Sequence, residues 1–264
     1  MKKTAIFLLL LIVILIGVSF VMSKTAPLPM GQNIDMLKNA DGEDIISEEV
    51  NYYGNAKGYY AKPETEGNYP GIVMIHEWWG LNLEIKAMAD ELASEGYRVL
   101  AVDLYNGKIA ATSSEARSLS SGINKAEALL NMKEAAEYLR KEGATKIASL
   151  GWCFGGARSL ELSLSDEKLD ATIIYYGQLV TDEKQLAAVD EPVLGIFGEI
   201  DTSIPTTTVR MFETALNNLN KTNDIYIYPG VGHAFANPSG MNYSPMATKD
   251  AWDRTLAFLD AHLR

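Results

Sequence analysis

Cysteine is nearly absent: the chain of 264 residues contains one, Cys153. No intramolecular disulfide can form, whatever the redox state of the compartment. Basic residues are scarce against acidic ones, 23 to 34, which leaves a net charge of −11. That balance argues against nucleic acid and against an anionic membrane surface as partners. Histidine is rarer still, at three residues, so few positions can act as an imidazole base. Internal repeats and low-complexity stretches are also missing, which argues against solenoids and disordered tracts.

What is present begins with an export signature. Met1-Lys2-Lys3 precedes an apolar run from Ala5 to Met22. A signal-peptide core is usually about 7–15 residues and a membrane span about 17–25. The run lies at the long end, so residues 1–23 are expected to be an uncleaved signal anchor. Val21-Met22-Ser23 is a weak cleavage point, which keeps secretion after cleavage as the alternative. Lys2 and Lys3 should stay in the cytoplasm, placing the remainder outside. A free thiol out there is open to oxidation, and its presence is easier to understand if it works. Residues 24–44, with prolines at Pro27 and Pro29, read as a tether and edge segment. Residues 45–264 suit one domain with a sizeable core, expected to be monomeric.

Within that domain strands alternate with helices. Ile45 to Tyr53 and Lys57 to Lys62 read as an antiparallel hairpin turning at Gly54-Asn55. Apolar strands follow at Gly71 to Ile75, Tyr97 to Val102, Lys146 to Leu150, Ala171 to Tyr175, Pro192 to Phe197 and Ile225 to Tyr228. Helical spacing is read after Asn82, across Ser113 to Gly143 with a break at Ser121-Gly122, over Ala157 to Leu164, after Pro205 and over Ala251 to Leu263. His262, near the end of the last helix, is read as solvent-side or fraying. The pattern predicts an α/β fold: a doubly wound, mostly parallel sheet with an N-terminal antiparallel hairpin. The connections are too short for a large lid domain.

The chemistry gathers at strand ends. Gly151-Trp152-Cys153-Phe154-Gly155-Gly156 joins a strand to a helix, the setting of a nucleophile elbow in which a thiol replaces the usual hydroxyl. Phe197-Gly198-Glu199-Ile200-Asp201 and Pro229-Gly230-Val231-Gly232-His233 each follow a strand-like run. In open α/β sheets reactive groups lie beyond the carboxyl ends of strands. The chain order Cys153, Asp201, His233 is that of an α/β-hydrolase triad. A lone cysteine is more often a small buried hydrophobe than a nucleophile. The flanking glycines and the two partners shift the balance toward catalysis.

These motifs, with His76-Glu77-Trp78-Trp79-Gly80 and Asp103-Leu104-Tyr105, resemble the dienelactone hydrolase family from about Tyr52 to the C-terminus. The resemblance implies an α/β-hydrolase fold and a cysteine hydrolase acting on small esters or lactones without metal or organic cofactor. It implies that Cys153, Asp201 and His233 form the triad and that the backbone N–H groups of Trp78 and Phe154 form the oxyanion hole. It further implies that Glu77 faces the thiol and controls its protonation, hydrogen-bonded to it until substrate enters. The bland reading of Glu77 is a surface carboxylate capping the turn. His76 is read as structural. The chain departs from the family where a substrate carboxylate would be bound. Arginines are expected after Asp-Leu-Tyr and after the histidine loop, and the chain has Asn106-Gly107-Lys108 and Phe235-Ala236-Asn237. Lys108 is a point charge without a planar fork, so a neutral or differently shaped ester is the expected substrate. Two alternatives stay open: acyl transfer by the same triad, and a non-catalytic binding module on the same fold.

Overall fold

The computed structural model describes residues 44–264. The apolar N-terminal run and nearly all of the tether lie outside the described residues. The domain is built on an eight-stranded sheet: β1 (Ile45–Tyr53), β2 (Ala56–Pro63), β3 (Gly71–Ile75), β4 (Arg98–Val102), β5 (Ile147–Trp152), β6 (Ala171–Tyr175), β7 (Val193–Gly198) and β8 (Asn223–Tyr228). Their spatial order is β1-β2-β4-β3-β5-β6-β7-β8. The hairpin β1–β2 is antiparallel and β2 pairs antiparallel with β4. Every other pairing is parallel.

Parallel strands need crossovers, and the helices supply them: α1 (Leu83–Ser94), α2 (Ser113–Ser121), α3 (Lys125–Lys141), α4 (Phe154–Ser163), α5 (Glu183–Leu186), α6 (Thr206–Asn218) and α7 (Pro245–Leu263). Alternate residues of β3 face opposite layers. Ile72 and Met74 pack with Ile85 and Leu92 of α1 and Phe258 and Leu259 of α7. Val73 and Ile75 pack with Met132, Ala135 and Leu139 of α3. A third cluster joins Ile174 and Phe197 to Val209, Phe212 and Leu216 of α6. A strand buried on both faces reads as a continuous apolar run, as Gly71 to Ile75 does. Helix starts follow their caps: the Asn82 side chain accepts from the Ile85 amide, and Asn124 accepts from Ala126 and Glu127. Gly122 closes α2 at the break read from the sequence.

The structure corrects several boundaries. β5 continues through Gly151 and Trp152 because both still pair with β6, opposite Ile174 and Tyr175. α4 therefore starts at Phe154, immediately after Cys153. α7 begins at Pro245 rather than Ala251, since proline suits a first helical turn. The single turn α5 is too short to leave a periodic signal; the Asp182 side chain caps it by accepting from Lys184 and Gln185. His262 is not loose: its ring lies 4.5 Å from the Phe258 ring, and its carbonyl accepts from Lys146 Nζ at 2.9 Å.

Candidate active site

Four connections leaving the carboxyl ends of β3, β5, β7 and β8 carry Glu77, Cys153, Asp201 and His233. The tightest is the elbow. Cys153 has φ 54° and ψ −113°, a conformation costing a non-glycine residue about 1–3 kcal/mol. The surroundings impose it: Cys153 N–H donates to the Tyr175 carbonyl at 2.9 Å, and its carbonyl accepts from Ala157 at 3.1 Å. The neighbouring glycines make the turn possible. A Cβ on Gly155 would sit 2.2 Å from the Ile75 carbonyl oxygen, and one on Gly151 would sit 2.2 Å from that of Gly155. Backbone meets backbone there, so no side chain fits.

His233 bridges the other two members. Its Nδ1–H donates to Asp201 Oδ2 at 2.8 Å, and its Nε2 lies 3.0 Å from Cys153 Sγ. Asp201 is fixed in turn, since its Oδ1 accepts from the amides of Ser203 at 2.7 Å and Ile204 at 3.0 Å. Burial pushes the Asp201 carboxyl up, but His233 and those amides outweigh burial and hold it below the usual carboxylate range. Burial likewise opposes charge on His233. The hydrogen bonds His233 makes to Asp201 and Cys153 outweigh it, raising the imidazole to about 10. The Asn242 side chain donates to the His233 carbonyl at 2.9 Å and secures the loop.

The turn after β3 is braced from inside. His76 is completely buried. Its Nε2 accepts from the Leu104 amide at 3.3 Å, so its Nδ1 carries the proton and donates to the Glu77 carbonyl at 2.6 Å. Burial pushes its pKa to about 4, so it stays neutral. Gly80 N–H donates to the same carbonyl at 3.2 Å. The Glu77 carbonyl and the Trp78 N–H belong to one planar trans peptide and point opposite ways. Holding the carbonyl inward frees the Trp78 N–H. Neither it nor the Phe154 N–H at the start of α4 takes an acceptor among the described residues.

Glu77 differs from expectation. It is a buried group and not a surface carboxylate, and it is not hydrogen-bonded to the thiol. Its Oε2 accepts from Asn237 Nδ2 at 2.5 Å. The physical reason is availability: the sulfur already faces His233, and Asn237 offers a buried neutral donor. Burial raises the Glu77 carboxyl to about 7; Asn237 and His233 hold it down, and Glu84 adds to the rise. Beside Glu77 lies a cavity of about 20 Å³, bounded in part by Trp152, Tyr176 and Asn237, with room for one water. Trp152 Nε1 and Tyr176 Oη are buried without a protein hydrogen-bond partner.

In the sequence Asn237 stands out only as the absence of an arginine; in the fold it pairs with Glu77. The surroundings of Trp152, Tyr176 and Asn242 leave no signal in the sequence, because they form between segments that meet only in three dimensions. Lys108 is exposed on the loop after β4. No cluster of His, Cys, Asp and Glu suited to a metal occurs among the described residues.

The family model described as the dienelactone hydrolase family matches residues 56–263. A candidate carboxymethylenebutenolidase of Yersinia pestis is 30% identical over 222 residues, covering 77% of this chain and 83% of that protein. The crystal structure of a candidate dienelactone hydrolase from Klebsiella pneumoniae superposes with a TM-score of 0.75 at 27% identity, covering 82% of this chain and 98% of the other. A dienelactone hydrolase-like promiscuous phosphotriesterase from metagenomic libraries shares the fold, with a TM-score of 0.74 at 23% identity, covering 83% of this chain and 99% of that one. The chain is therefore a carboxylic ester hydrolase belonging to the dienelactone hydrolase family.

Proposed function

We propose that the protein cleaves small neutral esters or lactones through a Cys153–His233–Asp201 triad and a thioester acyl-enzyme. The observation that carries this reading is the unbroken contact from Sγ through the imidazole to a fixed carboxylate, 3.0 and 2.8 Å, at the ends of three strands. Cys153 Sγ attacks the carbonyl carbon, and the developing oxyanion is held by the N–H groups of Trp78 and Phe154. Each such donor is worth about two to three decades in rate. His233 passes a proton to the leaving alkoxide, then takes one from the water that hydrolyses the thioester. Asp201 keeps the imidazole in the Nδ1–H form and supports its positive charge. Thiolates are good leaving groups, so esters and lactones suit this nucleophile better than amides.

The absence of arginine at Asn106 and Asn237 supports a neutral substrate. The apolar run from Ala5 to Met22 supports an anchored, extracytoplasmic enzyme; a mature N-terminus at Lys24 or Thr25 in the native host would indicate a cleaved signal instead. The decisive experiment is a panel of p-nitrophenyl esters and lactones, assayed with and without thiol alkylation. Mass spectrometry then looks for an acyl adduct on Cys153. Turnover that persists after full alkylation sinks the assignment. Adding alcohol or thiol acceptors separates hydrolysis from acyl transfer.

A further inference from the structure

Large apolar side chains left in water are not spread evenly. Nine are strongly exposed among the described residues: Ile46, Leu83, Ile109, Leu130, Ile200, Met211, Met241, Tyr243 and Met246. Six of them, Leu83, Ile109, Ile200, Met241, Tyr243 and Met246, lie in the loops or first helical turns that follow the carboxyl ends of β3, β4, β7 and β8, the edge that carries the active site. Met241 and Met246 are the extreme cases, at 104% and 86% exposure. Single exposed apolar residues are ordinary, whereas a group rimming one site marks an interaction surface.

The loops bearing these residues are tied together. Ser239 Oγ donates to Glu84 at 3.3 Å, joining the loop of Met241 to the start of α1 beside Leu83. A Cβ on Gly232 would be 3.6 Å from the Asn242 side chain and 3.9 Å from Ile200, which places Ile200 beside the same loop. Ile109 lies against Gly80, in the turn that carries Trp78 and Trp79. Both tryptophans are half-buried, with ring centroids 5.1 Å apart.

We propose that this rim docks the catalytic edge onto an uncharged lipid surface, from which the enzyme draws lipophilic esters; the substrate class rests on the esterase reading above, the docking does not. The sequence argues for this occupant. The same chain carries the 18-residue apolar run from Ala5 to Met22, which suits a bilayer. Ile45 enters the domain at the edge opposite the site. A chain the length of residues 23–44 can span at most roughly 79 Å, beyond the diameter of about 45 Å expected for a domain of this size, so its length does not prevent either edge from meeting the membrane. Charge selects the lipid: the net charge is −11, and near the rim exposed Glu84 and Glu199 are matched by exposed Lys108 and Lys249, so there is no basic excess to attract an anionic surface. Methionine adapts its shape to irregular apolar surfaces.

The test uses the full chain reconstituted in phosphatidylcholine vesicles, comparing the parent, the double variant Met241→Glu/Met246→Glu and the double variant Met241→Leu/Met246→Leu. Brominated phosphatidylcholine reads docking through quenching of tryptophan fluorescence. Turnover is measured on p-nitrophenyl laurate carried in the vesicles and on water-soluble p-nitrophenyl acetate. Docking predicts quenching in the parent and the leucine variant and its loss in the glutamate variant. It also predicts that kcat/KM on laurate falls about tenfold or more in the glutamate variant, from lost apolar contact, while acetate turnover stays unchanged. Equal quenching in all three proteins, or an equal fall on both esters, overturns the proposal. So does sedimentation showing that the parent pairs through this rim and that the glutamates separate the copies. Quenching without turnover of either ester keeps the docking and removes the esterase reading.

Discussion

Replacing Glu77 with glutamine should make the protein more stable and less active, and the gain should depend on pH in a calculable way. Glu77 goes from about 4.5 in the unfolded chain to about 7 when buried against Asn237. Below pH 4.5 the carboxyl is protonated in both states, and substitution exchanges one neutral group for another of the same shape. Between pH 4.5 and 7 the unfolded chain ionises while the native state still holds the proton. Stability contributed by the protonated carboxyl is therefore lost as pH rises through about 7. Glutamine does not titrate. The shift of about 2.5 units at 1.36 kcal/mol per unit corresponds to about 3 kcal/mol in favour of Glu77→Gln above pH 8. For a domain of this size that is a gain in Tm of about 6–12 °C. His233, raised to about 10, loses its own stabilisation between about pH 6.5 and 10. It does so in both proteins and cancels to first order in the difference. The assay is urea and thermal unfolding of parent and variant at pH 4.5, 6.5 and 8.5, with ester turnover and iodoacetamide alkylation of Cys153 measured alongside. A stability gap that is constant across pH would refute the reasoning, as would a variant less stable than the parent at pH 8.5. Unchanged turnover and alkylation at every pH would reduce Glu77 to a turn residue.

Cys153→Ala and His233→Ala should each abolish ester turnover, while Asp201→Asn should lower kcat by up to about four decades through the wrong imidazole tautomer; steady-state kinetics with p-nitrophenyl esters checks all three. Gly155→Ala should fail to accumulate as folded protein, because its Cβ would meet the Ile75 and His76 carbonyl oxygens at 2.2 and 2.6 Å; a well-folded, active variant by circular dichroism and assay would contradict the close approach. Asn237→Arg places a cation beside Glu77, so the Glu77 pKa should drop below about 7, and the enzyme should gain inhibition by small dianions. The parent should bind such dianions poorly and should favour a neutral ester over a dienelactone of similar size; micromolar competitive inhibition of the parent by a dianion would count against this.

Local sequence was enough for the strands, for the turn at Cys153 and for the placement of Cys153, Asp201 and His233 just past strand ends. Each rests on signals within a few residues: apolar runs of strand length, glycines where backbone must touch backbone, and reactive groups just past strand ends. The parallel sheet then follows, because strands separated by helices have few other ways to pack. Gly155 could be read as obligatory from the motif, although the atoms it avoids belong to β3, some eighty residues earlier. What tertiary structure alone decided was pairing across such distances. The partner of Glu77 is Asn237, in a loop 160 positions away, and no periodicity links the two. The tautomer of His76 depends on the Leu104 amide, which arrives from β4. The gathering of six exposed apolar residues along one edge comes from loops and helix starts after four strands that share only that edge of the sheet. Sequence specifies which groups exist and what each strand end can hold; the crossovers decide which of them meet, and with them the protonation of Glu77 and the character of the rim.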